Sequence, residues 1–226
     1  MDITYYGHSC FTLTIQNTTY LFDPFITPNE AASHIDVSTI NPDYICVSHG
    51  HQDHIADAQT FADRSEAPVI AGYEVANWLQ KKGVEKVSPV NHGGTVPTPN
   101  ADITFVSAVH SSTLPDGSSG GNPGGFIIET PEKTVYYSGD TALHADMRLF
   151  GEQYDIDAAI LCIGDTFTMG ADDAALAAQH LHCEDVIGVH YDTFPPIKIN
   201  HEEAASTFDD ADVDLTLLDI GASRSI

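Results

Sequence analysis

Residues 44–55 read YICVSHGHQDHI, and no other stretch limits the folds open to this chain as strongly. Its first four residues, mostly apolar, have the length and composition of a short buried strand. His49, His51, Asp53 and His54 follow within six positions. Imidazole and carboxylate are ligands that Zn²⁺, Fe and Mn²⁺ favour. Loops directly behind buried strands are where layered α/β proteins bind their ligands. In an extended loop, His49 and His51 point the same way and can share an ion. Asp53 and His54 lie just beyond, where an alanine-rich segment opens a helix, and can face a second ion. A surface loop with scattered histidines would not concentrate donors behind a buried strand. A structural zinc clip closes with four ligands, often cysteines; this loop has no cysteine and more donors than one ion uses. The stretch reads as an open site for two metals.

The rest of the chain alternates strands with helices, the pattern of α/β layering. Residues 3–6, 11–16 and 20–22 read as strands, and their hairpin character points to a mixed sheet. Asp23-Pro24-Phe25 closes that hairpin. Beyond the strand at 44–47, residues 55–65 have helical composition, 68–71 form a strand, and 73–82 form an amphipathic helix stopped at Gly83. Residues 86–90 are a strand, and 103–109 alternate up to His110. The glycine- and serine-rich residues 111–125 read as a mobile loop beside the site. A second hairpin covers 126–128 and 134–137. A helix at 144–150, a strand at 158–162, a helix at 171–182, a strand at 186–189, a helix at 201–208 and a strand at 214–218 complete the series. No linker interrupts it, so residues 1–226 read as one domain with two similar halves. His34 reads as a loop histidine, and His92 as a turn histidine or a supporting residue. His180 and His182, two apart on a helix, do not share a face.

Four more candidate residues share one feature: each ends an apolar strand. They are His110, Asp140, Asp165 and His190. A parallel or mixed sheet gathers its strand ends along one edge, so residues far apart in sequence converge there. With these residues in place, the chain resembles the metallo-β-lactamase superfamily. The resemblance is to its small metal-dependent hydrolases of the UPF0173 and ascorbate-lactonase-like kind. The HxHxDH signature stands as His49-Gly50-His51-Gln52-Asp53-His54. The later family histidine matches His110, and the strand-end aspartate matches Asp140 in Ser138-Gly139-Asp140-Thr141. The last histidine matches His190, ahead of Tyr191-Asp192-Thr193-Phe194-Pro195-Pro196. Tyr6-Gly7-His8-Ser9 and Gly164-Asp165-Thr166-Phe167-Thr168-Met169-Gly170 also look like this subgroup.

The resemblance implies an α/β fold, a four-layer αββα sandwich with helices outside two facing sheets. It implies two divalent ions, one held by His49, His51 and His110, the other by Asp53, His54 and His190, with Asp140 and a water or hydroxide between them. Such ions lower the pKa of bound water from about 16 to roughly 7 and polarise a carbonyl or phosphoryl oxygen. The implied activity is hydrolysis of a small ester, lactone or phosphodiester, with Asp53 counted as catalytic as well as ligating. Family analogy ranks a cyclic ester ahead of a phosphodiester. The donors suit zinc first, with manganese, iron and nickel as alternatives. A metal-binding module without turnover and a di-iron redox protein are the other two classes. His8, after the first strand, is expected at the mouth of the site and off the metals. There it holds the anionic part of a substrate or protonates the leaving oxygen. Asp165 is expected to support His190 by accepting its free ring N–H, or else to cap the helix that starts at Ala171.

Charge narrows the partners. The chain of 226 residues carries 33 acidic and 8 basic residues, a formal net charge of −25. A nucleic-acid backbone has no basic surface to bind here, which leaves a small-molecule substrate. Assembly into homo-oligomers stays open. No apolar run reaches membrane-spanning length, and no positive segment followed by an apolar one opens the chain; the expected compartment is the cytoplasm. Cys10, Cys46, Cys162 and Cys183 are widely spaced and read as reduced core residues. The acidic residues are spread along the whole chain, the pattern of a protein that works in concentrated salt, where screening relieves their repulsion. Equilibrium unfolding in molar KCl and in dilute buffer checks this: the midpoint rises with salt, and equal midpoints remove the idea.

Overall fold

A computed structural model describes residues 1–226. Two seven-stranded sheets face each other. The first contains β1 (Asp2–Gly7), β2 (Cys10–Ile15), β3 (Thr18–Phe22), β4 (Tyr44–Val47), β5 (Val69–Gly72) and β6 (Val87–Val90) in chain order. The second contains β7 (Thr95–Pro97), β8 (Asp102–Ser107), β9 (Gly124–Glu129), β10 (Thr134–Tyr137), β11 (Ala158–Cys162), β12 (Asp185–Val189) and β13 (Asp214–Thr216). Each sheet begins with antiparallel strands and turns parallel, at β3–β4 in one and β10–β11 in the other. The last strand, β14 (Ser223–Ser225), returns to pair with β1, Ile3 opposite Arg224. Arg224 then reaches across to Thr216 and Asp185 of the second sheet.

Period-two alternation builds the layers. Phe22 and Cys46 face the other sheet, among Ile103, Phe105, Phe126 and Ile160. Their neighbours Leu21, Ile45 and Val47 face outward, onto α2 (Ala58–Ser65) and α3 (Tyr73–Lys81), which bury Phe61 and Leu79 there. In the second sheet Ile187 and Val189 face inward, while Val186 and Leu161 meet the alanines of α5 (Ala171–His180) and Phe208 of α6 (His201–Asp209). A helix α4 (Asp146–Gln153) completes that layer, with Met147 buried. Strands covered on both sides must be apolar throughout, which is why β4, β11 and β12 read as unbroken apolar runs. All four cysteines are buried and free. No helix is long and apolar enough to cross a membrane.

Parallel strands place their C-terminal ends together, so the loops after β4, β10, β11 and β12 meet along one edge. Of residues 111–125, expected to be a mobile loop, 111–123 are tied down there and 124–125 open β9. Leu114 is 3% exposed and sits in the outer core of the first sheet. Ser112 Oγ accepts from Gly50 N at 3.0 Å, and Trp78 Nε1 donates to Asp116 Oδ2 at 2.6 Å. Low complexity concealed one apolar anchor and a set of turn hydrogen bonds. Leu114 also explains Gly50: a Cβ there would lie 2.9 Å from Leu114 Cδ2. Leu114→Ala opens a cavity directly under the histidine loop. It is expected to lose roughly 2–5 kcal/mol, the range for buried leucine truncations, in urea unfolding followed by circular dichroism.

Candidate metal centre

The histidine loop starts where β4 ends. His49 and His51 stay extended, with His51 at φ −66, ψ 148, and then one helical turn, α1 (Gln52–Ile55), begins. That change of conformation sends the side chains around a ring. His49 Nε2 and His51 Nδ1 lie 2.9 Å apart, and both lie within 4.8 Å of a His110 nitrogen. Asp53 and His54, on the helical turn, join His190 and His8 in a second group, again with donor atoms within 4.8 Å of one another. Asp140 stands between the groups. Its Oδ2 is 2.9 Å from His190 Nε2, 3.2 Å from His54 Nε2, 3.6 Å from His110 Nε2 and 4.0 Å from His49 Nε2.

Behind these residues lies Asp23, fully buried at the end of β3 with φ 40. Oδ1 accepts from Ser48 N at 2.7 Å. Oδ2 accepts from Ser48 Oγ at 2.6 Å and Tyr137 OH at 2.5 Å, and lies 2.8 Å from His54 Nδ1. A carboxylate only accepts, so His54 Nδ1 carries a proton, and in the neutral ring Nε2 presents its lone pair forward. Ser48 Oγ has given its proton to Asp23, so it accepts from His49 Nδ1 at 2.9 Å. One carboxylate thus sets the tautomers of a histidine in each group. Asp23 itself is within reach of His49 and His54 as a ligand, but its oxygens are already taken by these four donors.

The donor set fits a cation. Nitrogen lone pairs and a buried carboxylate converge with the ring N–H groups turned away. Asp140 Oδ1 and His54 Nε2 are buried with no hydrogen-bond partner. Buried polar atoms left so are rare and mark an ion or water. In the protein alone the stress falls on His54. Burial opposes its protonation, yet the carboxylates of Asp140, Asp23 and Asp53 outweigh it and lift its pKa well above the usual value. Burial also opposes ionisation of Asp140, but His190 and His54 hold its carboxyl well below the ordinary range. His49 is kept neutral, its pKa depressed by burial and then by His54.

Two expectations change. His8 is 1% exposed, not at the mouth. Its ring packs 4.2 Å from that of His190; Nε2 is 3.0 Å from Asp53 Oδ2 and Nδ1 is 3.0 Å from Thr193 Oγ1. His8 and His190 both hold left-handed φ, 56 and 58, and are joined where His190 N donates to His8 O at 2.8 Å. Burial, and then His190, lower the His8 pKa to about 4. Asp165 turns away from the centre. It is exposed, in a left-handed turn on the α5 side of the edge, and accepts nothing from His190, whose Nδ1 is unpaired. It does not cap α5 either: Gly170 occupies the N-cap with no side-chain bond. A strand-end position alone could not tell the inner side of the sheet from the outer. His34 lies near Ile220 O, and His92 near Pro123 O with its ring on Phe105, both outside the centre. Asp23, a hairpin closure by its sequence, also directly follows a buried strand, and that position is the signal that marks it.

The fold and the centre together define a metallohydrolase of the β-lactamase type. The matching family is the Beta-lactamase superfamily domain, over residues 18–191. Within it, the chain belongs to the UPF0173 metal-dependent hydrolases. It is 52% identical over 223 residues to a UPF0173 metal-dependent hydrolase of Methylacidiphilum infernorum, covering 99% of each chain. It is 46% identical over 224 residues to another of Christiangramia forsetii, again covering 99% of each. Among solved structures, Igni18, a metallo hydrolase from the archaeon Ignicoccus hospitalis, superposes with a TM-score of 0.89 at 31% identity, covering 99% of this chain and 97% of that one.

Removing the Asp23 charge should loosen both halves of the centre. Asp23→Asn is expected to lower divalent-metal affinity about 10–100-fold, the usual effect of losing a carboxylate behind a ligating histidine. Asp165→Asn is expected to leave it unchanged. Competition against a chelator of known affinity measures both, with folding checked by circular dichroism.

Proposed function

We propose that His49, His51 and His110 hold one divalent ion, that Asp53, His54 and His190 hold a second, and that Asp140 serves both. The observation that carries this reading is the position of Asp140 Oδ2, within 4.0 Å of a nitrogen from His49, His54, His110 and His190. Zinc is the first choice of metal, and manganese, iron and nickel suit the same donors. The reaction is hydrolysis of a small carboxylic ester, a lactone ahead of a phosphodiester, on a metabolite in the cytoplasm. Nucleic acid is a poor substrate for a chain of net charge −25.

The ions, when bound, would lower the pKa of water and polarise the scissile carbonyl. The residues of the chain do the rest. Asp23 holds His49 and His54 in the tautomers that leave Nε2 free, one through Ser48 and one directly. His8 fixes the Asp53 carboxylate through Nε2, and Thr193 holds the far side of that ring. His8 is therefore a positioning residue rather than a proton donor. Asp53, the more open of the two carboxylates at 28% side-chain exposure against 2% for Asp140, faces the space where substrate arrives. It is the residue placed to take the proton of the attacking water and return it to the leaving oxygen.

Elemental analysis of protein prepared without chelator and saturated with metal is expected to give two equivalents per chain. Asp140→Ala is expected to lose both tightly bound ions, whereas His110→Ala loses one. At most one equivalent in the wild type, or two retained in Asp140→Ala, overturns the two-ion reading. Turnover of lactones or diesters that disappears with chelator and returns with metal tests the hydrolase itself.

A further inference from the structure

Which substrates can approach this centre is decided by charge and by what surrounds it. Of the eight Lys and Arg residues, six have neighbours elsewhere: Lys82 lies over the Trp78 ring and Lys198 beside Asp172 on the α5 side. Lys86 pairs with Glu66, Lys133 with Asp157 and Arg224 with Asp185, while Arg64 binds Ile40 O. No lysine or arginine is among the main charges acting on His8, His49, His51, Asp53, His54, His110 or Asp140. Two divalent ions bring four positive charges. Asp23, Asp53 and Asp140 return three, and a hydroxide nucleophile returns the last. A charge balance that must include the ions themselves thus leaves nothing over for an anionic substrate. No cationic side chain is at hand to clamp a phosphate or carboxylate, the usual device for holding one.

The groups around the centre are hydroxyls, such as Ser111 Oγ at 3.2 Å from His51 Nε2, and apolar side chains. Phe194, half-buried, stands edge-on to the His8 ring at 5.4 Å and leans on Phe25 at 6.3 Å, beside the Asp53 and His190 group. Only five large apolar residues of the chain are exposed, and Val109 and Phe167 are two of them, at 55% and 53%. Val109 lies on the loop that enters the centre, and the Phe167 loop is joined to the residue after Asp140, where Met169 N donates to Thr141 O at 2.9 Å. Val109 precedes His110 and donates its N–H to Thr141 Oγ1 at 2.9 Å, next to Asp140. Thr166, left-handed at φ 52, donates its hydroxyl to Pro196 O at 2.9 Å, which fastens the Phe167 loop to the Phe194 loop. A β-branched residue in that region is strained, and such strain collects at ligand clamps.

We infer that the site takes an uncharged ester or lactone with an apolar tail, and that Phe194 determines specificity by packing against the tail. This rests on the hydrolase reading above and narrows its substrate class. In the reaction, water oxygen bonds to the carbonyl carbon and the carbon–oxygen bond to the leaving group breaks. The proton lost by the water passes to that leaving oxygen, so a lactone becomes its hydroxy acid with no redox change.

The test compares metal-loaded wild type, Phe194→Ala and Phe194→Leu at equal metal content, on γ-butyrolactone, γ-decalactone and bis(p-nitrophenyl) phosphate. A buried methylene is worth up to about fourfold, and a half-open wall realises part of that. The wild type is expected to prefer γ-decalactone over γ-butyrolactone by at least about tenfold in kcat/KM. Phe194→Ala should lose most of that preference, and Phe194→Leu should keep most of it. Calorimetric binding of 2-hexylcyclopentanone, a neutral ketone that is not hydrolysed, should weaken about tenfold in Phe194→Ala, in metal-loaded and metal-free protein alike. Faster turnover of the diester than of either lactone overturns the substrate class while leaving the hydrolase intact. An unchanged tail preference and ketone affinity in Phe194→Ala overturns the role of Phe194. Turnover of none of the three overturns the hydrolase reading, and the ketone affinities then still decide whether Phe194 holds an apolar ligand.

Discussion

The Asp23 carboxylate is the interaction on which the centre depends. A buried carboxylate is tolerated when hydrogen bonds compensate its lost hydration, and Asp23 has four donors: two from Ser48, one from Tyr137 and one from His54. Those donors come from the end of β4, the end of β10 and the helical turn α1. The anion therefore joins both sheets at the edge where their strands stop. Its second effect is on protons. An imidazole that donates from Nδ1 has only Nε2 left with a lone pair, and Asp23 imposes that arrangement on His54 directly and on His49 through Ser48. Without it, each ring could turn or change tautomer, and the lone pairs would no longer point at one place.

Beyond that anion, the layered architecture supplies convergence. Asp140 and His190 are fifty residues apart, yet β10 and β12 flank β11 in one sheet and their ends share an edge. The facing sheet brings His49, His51, Asp53 and His54 from the end of β4. Each half contributes a strand-end cluster that is incomplete alone, and the cleft between the sheets is where the two become one set. Left-handed backbone at His8, Asp23 and His190 is the local cost of bending each chain sharply at its strand end.

Much of this was legible in the sequence. Apolar runs of strand length marked β4, β11 and β12 because strands buried on both faces have no polar side. The donors that follow the strands marked the edge. The family resemblance supplied the layer order. Other parts were not legible, for physical reasons. Asp165 obeys the same strand-end pattern as Asp140, but the side of the sheet on which a loop departs is set by the helix that follows it. Asp23 lies beyond a strand too, yet its partners Tyr137 and Ser48 are distant in sequence, and a carboxylate in a tight turn needs no such partners. Leu114 is a single apolar residue in a polar stretch, below the threshold at which periodicity speaks. β14 is Ser-Arg-Ser, and only pairing with β1 makes it a strand.

That last pairing has a consequence for how the protein comes into being. β1 is an internal strand of its sheet solely because β14 lies beside it, with Tyr5 N donating to Ala222 O at 3.0 Å and Ile226 N to Met1 O at 3.0 Å. Synthesis runs from β1 to β14, so the first strand made remains an open edge until residues 223–225 leave the ribosome, and open edges invite pairing with other chains. His8 follows directly from β1, and the site residues it touches are Asp53, His54 and His190. The strand that leads into the centre is thus covered by residues 223–225, and a nascent chain not yet extended to them already carries every donor of the centre while its first sheet is still unclosed.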